Sequence, residues 1–228
     1  MAGPVTLSGI EGALAPHGLV VRGGFVPETG DGVPACADGS PAAGVVLVGN
    51  VGPAMWRAFG AAGPHVGGHP LNAWSERVIG RAAADLGASA LFPFTGPPYH
   101  PFQRWAQKAE AVHPSPLGIL IHPDYGLWHA YRGAFAFAQA IDLGPWDGRP
   151  SPCESCADKP CLSACPVTAF DSRGYDVQAC LGHVAAPQGE GCRDDGCLAR
   201  RACPVGTGYT YERAQTRFHM TAFVQAHK

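Results

Sequence analysis

The sequence predicts an α+β domain over residues 1–147, a small cysteine-rich domain over residues 148–206 and a helical tail over residues 207–228. Short apolar runs bounded by glycine, typical of strands, alternate with segments of helical periodicity in the first part. The stretch between Asp142 and Ser151 is rich in turn residues and marks a domain boundary. Eight of the nine cysteines follow that boundary. We therefore expect two domains of different character.

The apolar pattern predicts the elements of the first domain in order. Val45–Gly49 is a short apolar run without alternation, as in a strand buried on both faces. Residues 71–86 carry apolar side chains on one helical face and charged side chains opposite, which predicts an amphipathic helix. The predicted helices span 4–17, 53–59, 71–86, 102–111 and 210–227, and the predicted strands span 19–22, 45–49, 90–94, 118–122 and 128–137.

Composition argues against two classes of partner. The formal net charge is −2 and the chain has no block of Lys and Arg, so a nucleic-acid surface is not expected. Apolar stretches are interrupted by Gly, Pro or His before they reach about 18 residues, so no membrane span is expected. The first six residues lack the pattern of a signal peptide, which favours a cytoplasmic location.

The cysteines match the ligand count of two four-iron clusters, since a [4Fe–4S] cluster takes four thiolates. Two of them are followed by proline, in Cys165-Pro166 and Cys203-Pro204. In two-cluster ferredoxins the cysteine before proline in one motif ligates the other cluster, so the motifs interleave. On that rule the first set is Cys153, Cys156, Cys161 and Cys203, and the second set is Cys165, Cys180, Cys192 and Cys197.

Zinc and disulfides are the alternatives for these cysteines. Structural zinc sites prefer paired two-residue spacings, often with His, and do not require proline after a cysteine. Disulfides require an oxidising compartment, which the N-terminal sequence does not indicate. Several cysteines are separated by four or five residues, which departs from the bacterial ferredoxin spacing. This departure weakens the assignment of cysteines to each cluster more than it weakens the prediction of clusters. Cys36 has no nearby cysteine and is predicted to be an incidental residue.

Two families resemble parts of this chain. Gly23-Gly24-Phe25, the strand 45–48 with the segment after it, His69-Pro70-Leu71-Asn72 and residues 121–133 resemble the CblC-type cobalamin-processing proteins. The cysteine domain looks like that of epoxyqueuosine reductase, a cobalamin enzyme whose clusters feed the corrin. The resemblance implies a nitroreductase-like mixed sheet with flanking helices, then a ferredoxin-like domain. It also implies that a corrinoid binds the first domain.

The chain departs from both families. Epoxyqueuosine reductase has a proton-donating Asp before its Tyr-His dipeptide, whereas the corresponding stretch here, residues 66–70, has no carboxylate. Its helical tRNA-binding extension is also missing, so epoxyqueuosine reduction is rejected. CblC proteins lack clusters, so the clusters expected in this chain would give it an electron source that CblC proteins do not have.

Candidate cofactor-binding residues lie on the predicted strand 128–137 and in the turn before it. They are His122, Tyr125, Trp128, Tyr131 and Arg132. Arg132 is suited to an anionic or amide-bearing ligand and equally to a structural carboxylate. The His is also commonly structural, and the aromatic residues are suited both to a wall around a flat cofactor and to a core. Tyr99-His100 is a weaker candidate.

Three functions follow. The first is a redox protein in which two clusters pass single electrons to a corrinoid on the first domain, so that the chain would act as a cobalamin-linked reductase on a small molecule. The second is a ferredoxin-type electron carrier without an organic cofactor, and the third is a cobalamin-binding or processing chaperone. Each would receive electrons from an external donor such as a ferredoxin or flavodoxin. Flavin in place of the corrinoid stays open, because fold does not fix function.

Overall fold

The computed structural model describes residues 5–227 and divides them into two compact units. The first unit comprises the residues up to Ala111 together with His129–Gly148, and the second comprises Val112–Trp128 together with the residues from Arg149 onward. The sequence assigns residues 112–128 to the first domain, but they pack in the second unit. The reason is that Leu117, Ile121 and Leu127 join the hydrophobic core of the cysteine-rich region.

The first unit is built on a four-stranded sheet in the order β1-β2-β6-β3. Its strands are β1 (Val20–Phe25), β2 (Gly44–Val51), β3 (Ser89–Leu91) and β6 (His129–Phe137). All three neighbouring pairs are antiparallel, which corrects the predicted mixed sheet. The strands β2 and β3 do run in the same direction, as a helical crossover suggests, but β6 lies between them and pairs antiparallel with both. The coarser α+β prediction is confirmed.

The middle of the sheet forms the core of the first unit. Residues Val45–Val48 of β2 are completely buried, as the unbroken apolar run predicts. Four helices accompany the sheet: α1 (Leu7–Leu14), α2 (Ala54–Ala61), α3 (Pro70–Asp85) and α4 (Phe102–Ala109). The helix α3 buries Leu71, Trp74 and Ile79, which lie on the apolar face expected from the sequence. The predicted start of the first helix at Pro4 lies outside the described residues.

Two predicted strands are shorter in the structure. The strand β3 ends at Leu91, two residues before Pro93, since proline cannot donate a hydrogen bond to a sheet. Of residues 118–122, only β5 (Leu120–Ile121) is a strand, paired with β4 (His113–Pro114). Gly118 lies in the turn between them with a positive φ of 74°, which is incompatible with extended backbone.

The second unit consists mainly of short helices. They are α5 (Pro152–Ser155), α6 (Pro160–Ser163), α7 (Val177–Ala185), α8 (Glu190–Asp194), α9 (Leu198–Arg201) and α10 (Arg213–Ala226), with a hairpin of β7 (Phe170–Asp171) and β8 (Gly174–Tyr175). Proline starts both α5 and α6, where its missing N–H costs nothing. Among the described residues, no helix has the length and apolar character needed to cross a membrane.

A glycine pair joins two parts of the second unit. An ideal Cβ on Gly126 would lie 1.9 Å from the carbonyl oxygen of Val205, and one on Gly206 would lie 2.2 Å from the carbonyl carbon of Tyr125. Both glycines have positive φ, 55° and 73°. The two backbones therefore touch without side chains between them, next to the Cys203-Pro204 motif.

Candidate iron–sulfur sites

Four cysteines line the first cavity of the second unit. They are Cys153, Cys156, Cys161 and Cys203, and the apolar lining includes Ile121, Val205 and four prolines. Ser151 caps α5 by accepting a hydrogen bond from the N–H of Cys153 at 3.3 Å. Cys161 lies in the first turn of α6, and Cys203 follows the end of α9. The cavity measures about 310 Å³, including the space that opens to solvent.

The second cavity is lined by the other four cysteines, which are Cys165, Cys180, Cys192 and Cys197. Its empty volume is also about 310 Å³, and Phe170, Val184 and Met220 cover it. Asp176 caps α7 by accepting from the N–H of Ala179 at 2.9 Å, and this helix carries Cys180. The structure thus brings the cysteines together in the two interleaved sets expected from the Cys-Pro motifs.

Backbone N–H groups act on two of the cysteines. The N–H of Ala169 donates to Cys165 Sγ at 3.3 Å. The backbone N–H groups of Ala199 and Arg200, at the start of α9, act to lower the pKa of Cys197, although burial raises it overall. Hydrogen bonds to sulfur and solvent exposure are the means by which a protein sets the potential of a cluster.

Electrostatics also group the thiols. Burial raises the pKa of Cys153 and of Cys161, and in each case Cys203 is the neighbour that adds most to the rise. Burial likewise raises the pKa of Cys180 and of Cys197, with smaller contributions from other cysteines of their own set. Because a cluster binds thiolates, its assembly must release the protons that these sites retain.

Each set supplies the four thiols that a four-iron cluster requires. Among the residues from 5 to 227, no three His, Cys, Asp or Glu side chains converge closely enough to hold a single metal ion. A zinc ion needs its sulfur ligands about 2.3 Å from one point. The thiols of each set instead surround a cavity with a largely apolar lining. Four thiols around an apolar space suit a larger group that bridges between them.

Arg200, which lies near two of the cysteines in the sequence, contacts two aromatic rings, and these contacts were not apparent from the sequence. The Arg200 guanidinium lies 4.4 Å from the ring centroid of Trp128 and 4.6 Å from that of Tyr211. It also donates two hydrogen bonds to the carbonyl oxygen of Leu127. Arg200 belongs to α9, which connects Cys197 of the second set with Cys203 of the first. Its place between two cysteines is the one sequence signal that could have singled it out.

Three of the predicted cofactor-binding residues lie in the second unit. The Nδ1 atom of His122 accepts from the N–H groups of Asp124 at 3.0 Å and Tyr125 at 3.4 Å, so this nitrogen stabilises the turn. The ring of His122 stacks on that of Tyr125. Trp128 is buried and contacts Arg200. All of these contacts lie within the second unit.

The other two predicted residues lie in the first unit, on β6. Arg132 donates to Asn72 Oδ1 at 2.9 Å and to Ser75 Oγ at 3.0 Å, so it ties β6 to α3. Tyr131 donates to Glu110 at 2.5 Å. Neutral acceptors on α3 therefore contribute to the placement of the Arg132 guanidinium.

Glu110 and Arg22 form a buried ion pair that the sequence did not indicate. The side chain of Arg22 is 1% exposed, and its guanidinium contacts both carboxylate oxygens of Glu110, at 2.8 and 3.1 Å. Burial raises the pKa of Glu110 although Arg22 acts to lower it. The pair links β1 to the end of α4, and a charged residue on a predicted strand was its only local signal.

The remaining candidates stand apart from the cysteine sets. Cys36 is buried in the first unit, in a turn closed by Ser40 and Gly39. Tyr99 is exposed, whereas the ring of His100 stacks on Trp105.

The eight clustered cysteines therefore carry the functional interpretation. No protein-family model matches the chain, and no curated protein matches it either.

Proposed function

We propose that this chain is an iron–sulfur redox protein that passes single electrons through two [4Fe–4S] clusters. Cys153, Cys156, Cys161 and Cys203 would hold one cluster, and Cys165, Cys180, Cys192 and Cys197 would hold the other. One observation carries the proposal, namely that each set of four cysteines lines its own cavity. When bound, such clusters accept and donate one electron at a time.

The residues of the second unit are arranged to keep the two sites together. The helix α9 runs from Cys197 of the second set towards Cys203 of the first, and α6 contains Cys161 of the first set and ends just before Cys165 of the second. Both sites also border the core that contains Leu127 and Phe170. Short helices with ligands of different sets at their two ends keep the sites adjacent, which suits a relay of electrons.

Iron and sulfide analysis tests the cluster assignment. Anaerobically reconstituted protein should contain about eight iron and eight sulfide atoms, four for each cluster. Cys161→Ala should lower the iron content to about half or leave unfolded apoprotein, because site formation and folding are coupled. Cys36→Ala is the matched control, since Cys36 is a buried cysteine of the other unit. Unchanged iron in Cys161→Ala, or an equal loss in Cys36→Ala, contradicts the assignment.

The acceptor that the resemblance supports is a corrinoid bound on the first unit. A bound corrinoid would supply a cobalt centre that is reduced by single electrons. The chain would then be a cobalamin-linked reductase fed by an external ferredoxin or flavodoxin. An electron carrier without an organic cofactor and a cobalamin-processing chaperone are the alternatives, and they differ in corrinoid affinity and in turnover.

Electron paramagnetic resonance of added cob(II)alamin tests the acceptor. With the clusters oxidised and silent, a base-off cobalt signal supports corrinoid binding, whereas the signal of free cob(II)alamin favours the simple carrier. Arg132→Ala should weaken binding if Arg132 contacts the corrin. Ser75→Ala is its control, because it removes a hydrogen-bond partner of Arg132 but no charge. An equal loss in both variants would assign Arg132 to packing between β6 and α3.

A further inference from the structure

We infer that the guanidinium group of Arg200 is a counter-charge shared by the two cluster sites and raises the reduction potential of both. The inference rests on the proposed function and adds to it a residue that controls how readily the two sites accept electrons. Arg200 lies in α9, three residues after Cys197 of the second set and three residues before Cys203 of the first set. It is therefore close in the chain to a ligand of each site.

The backbone of α9 ties Arg200 to both sites. The carbonyl oxygen of Arg200 accepts a hydrogen bond from the N–H of Cys203 at 3.3 Å. At the other end of the helix, the carbonyl oxygen of Cys197 accepts from the N–H of Arg201 at 3.0 Å. Residues three apart in a helix have Cβ atoms about 5–6 Å apart. About one helical turn therefore separates the base of the Arg200 side chain from a cysteine of each set.

The guanidinium group is held beside the core that the cysteines share. Its Nε atom donates to the carbonyl oxygen of Leu127 at 3.1 Å, and Nη2 donates to the same oxygen. Leu127 belongs to the hydrophobic core that also contains Cys203. The two rings that the guanidinium contacts, those of Trp128 and Tyr211, are buried and form a corner, with 5.5 Å between centroids and 66° between planes. The cation is thus partly withdrawn from water.

The positive charge of this group is not neutralised by a carboxylate. Within residues 5–227, no carboxylate lies within ion-pair distance of the Arg200 guanidinium. The two acidic residues nearest to it in the sequence, Asp194 and Asp195, pair with arginines of α10 at 3.4 and 2.7 Å. Aromatic rings and a carbonyl attract a cation but carry no net charge. A partly buried charge favours an opposite charge nearby, and four thiolates around an iron–sulfur core supply a net negative charge.

Electrostatics gives the direction of the effect. The arginine side chain stays protonated throughout. Reduction adds one electron from an external one-electron donor to a site, and no bond of the chain forms or breaks. Since the site becomes more negative, a fixed cation stabilises the reduced state more than the oxidised state. At a separation of about 10 Å and an effective dielectric constant of about 20, one unit charge changes such an equilibrium by about tenfold.

Arg200→Met tests the inference because it keeps an unbranched side chain and removes the charge. At a fixed potential, the ratio of reduced to oxidised protein should fall about tenfold for each cluster, which is a shift of about 59 mV to lower potential for a one-electron couple. Arg200→Lys keeps the charge and should restore most of this loss. Arg201→Met is the matched control, since Arg201 is the next residue of α9 but is exposed, where water and salt screen its charge. Redox titration followed by electron paramagnetic resonance measures both potentials.

The outcomes separate this inference from the proposed function. If wild-type protein assembles no clusters, the proposed function fails and this inference fails with it. If clusters assemble and Arg200→Met keeps the wild-type potentials, or if Arg200→Lys loses as much as Arg200→Met, the counter-charge role alone is overturned. If Arg200→Met does not assemble, the iron content decides. Iron restored in Arg200→Lys supports the role of the charge, whereas an equal loss in both variants assigns Arg200 to packing.

Discussion

Replacing Gly126 with alanine would displace the backbone that follows Cys203, the fourth cysteine of the first set. Gly126 has a φ of 55°, where a side chain costs about 1–2 kcal/mol. Its Cβ would also lie 1.9 Å from the carbonyl oxygen of Val205, so a contact of 3.0 Å requires a displacement of about 1.1 Å. Backbone shifts of this kind cost about 1–3 kcal/mol. The expected total is about 2–5 kcal/mol for Gly126→Ala.

Gly118→Ala separates the two contributions. Gly118 also has a positive φ, 74°, but its Cβ would meet no atom within 4 Å. This variant should therefore lose only the conformational part, about 1–2 kcal/mol. Hydrogen exchange followed by mass spectrometry, on peptides covering residues 112–128 and 199–209, measures the local stability in both variants.

Iron analysis extends the same comparison to the first cluster. Val205 lies two residues after Cys203, so its displacement should move the fourth ligand of the first cavity. We expect Gly126→Ala to retain about half of the wild-type iron and Gly118→Ala to retain nearly all of it. Equal hydrogen exchange and equal iron content in the two variants would refute the argument that backbone contact between these segments positions Cys203.

Two further predictions concern the first unit and are measured by urea denaturation with tryptophan fluorescence. Arg22→Met should lower the free energy of unfolding by about 3–5 kcal/mol near neutral pH, because it removes the buried cation beside Glu110. Arg81→Met, which breaks an exposed pair, should lower it by at most about 1 kcal/mol. The folded pKa of Glu110 is raised, and removal of Arg22 raises it further, so the deficit should grow as the pH rises above the ordinary value of 4.5. A deficit independent of pH contradicts this. Asp31 behaves oppositely, because its hydrogen bond to Lys108 lowers its pKa below 3.8. Its contribution to the stability of the folded state is therefore present above pH 3.8 and is lost as the pH falls through the folded pKa. Asp31→Asn should flatten this acid dependence, and an unchanged acid profile would exclude the role.

Elements with a strong local signal could be predicted from the sequence. The apolar run of β2 and the amphipathic pattern of α3 are both local properties, and the structure confirms each. The short strands β4 and β5 have two residues each, too few for a periodic pattern. The antiparallel sheet could not be predicted either, because the position of β6 between β2 and β3 depends on pairing between residues far apart in the chain.

The same limit applies to the candidate sites. Proline after two cysteines suggested which thiols share a site, because that motif has a known ligand pattern. The spacing did not indicate which ring Arg200 contacts, because Trp128 lies far from it in the chain. The apolar residues 112–128 were equally ambiguous, since Leu117 and Ile121 would suit either core. Apolar character predicts burial, but it does not specify the partner.

The discontinuous second unit has a consequence for synthesis and dissection of the chain. As the chain emerges from the ribosome, the first unit has all its residues once Gly148 is available. In the segment Val112–Trp128, the side chains of Leu117, Ile121 and Leu127 then lack their packing partners until the residues that complete their core have been synthesised. A fragment that begins at Arg149 would lack these side chains altogether. Expression of the cysteine-rich part alone therefore requires a fragment that begins at Val112 and has a linker in place of residues 129–148.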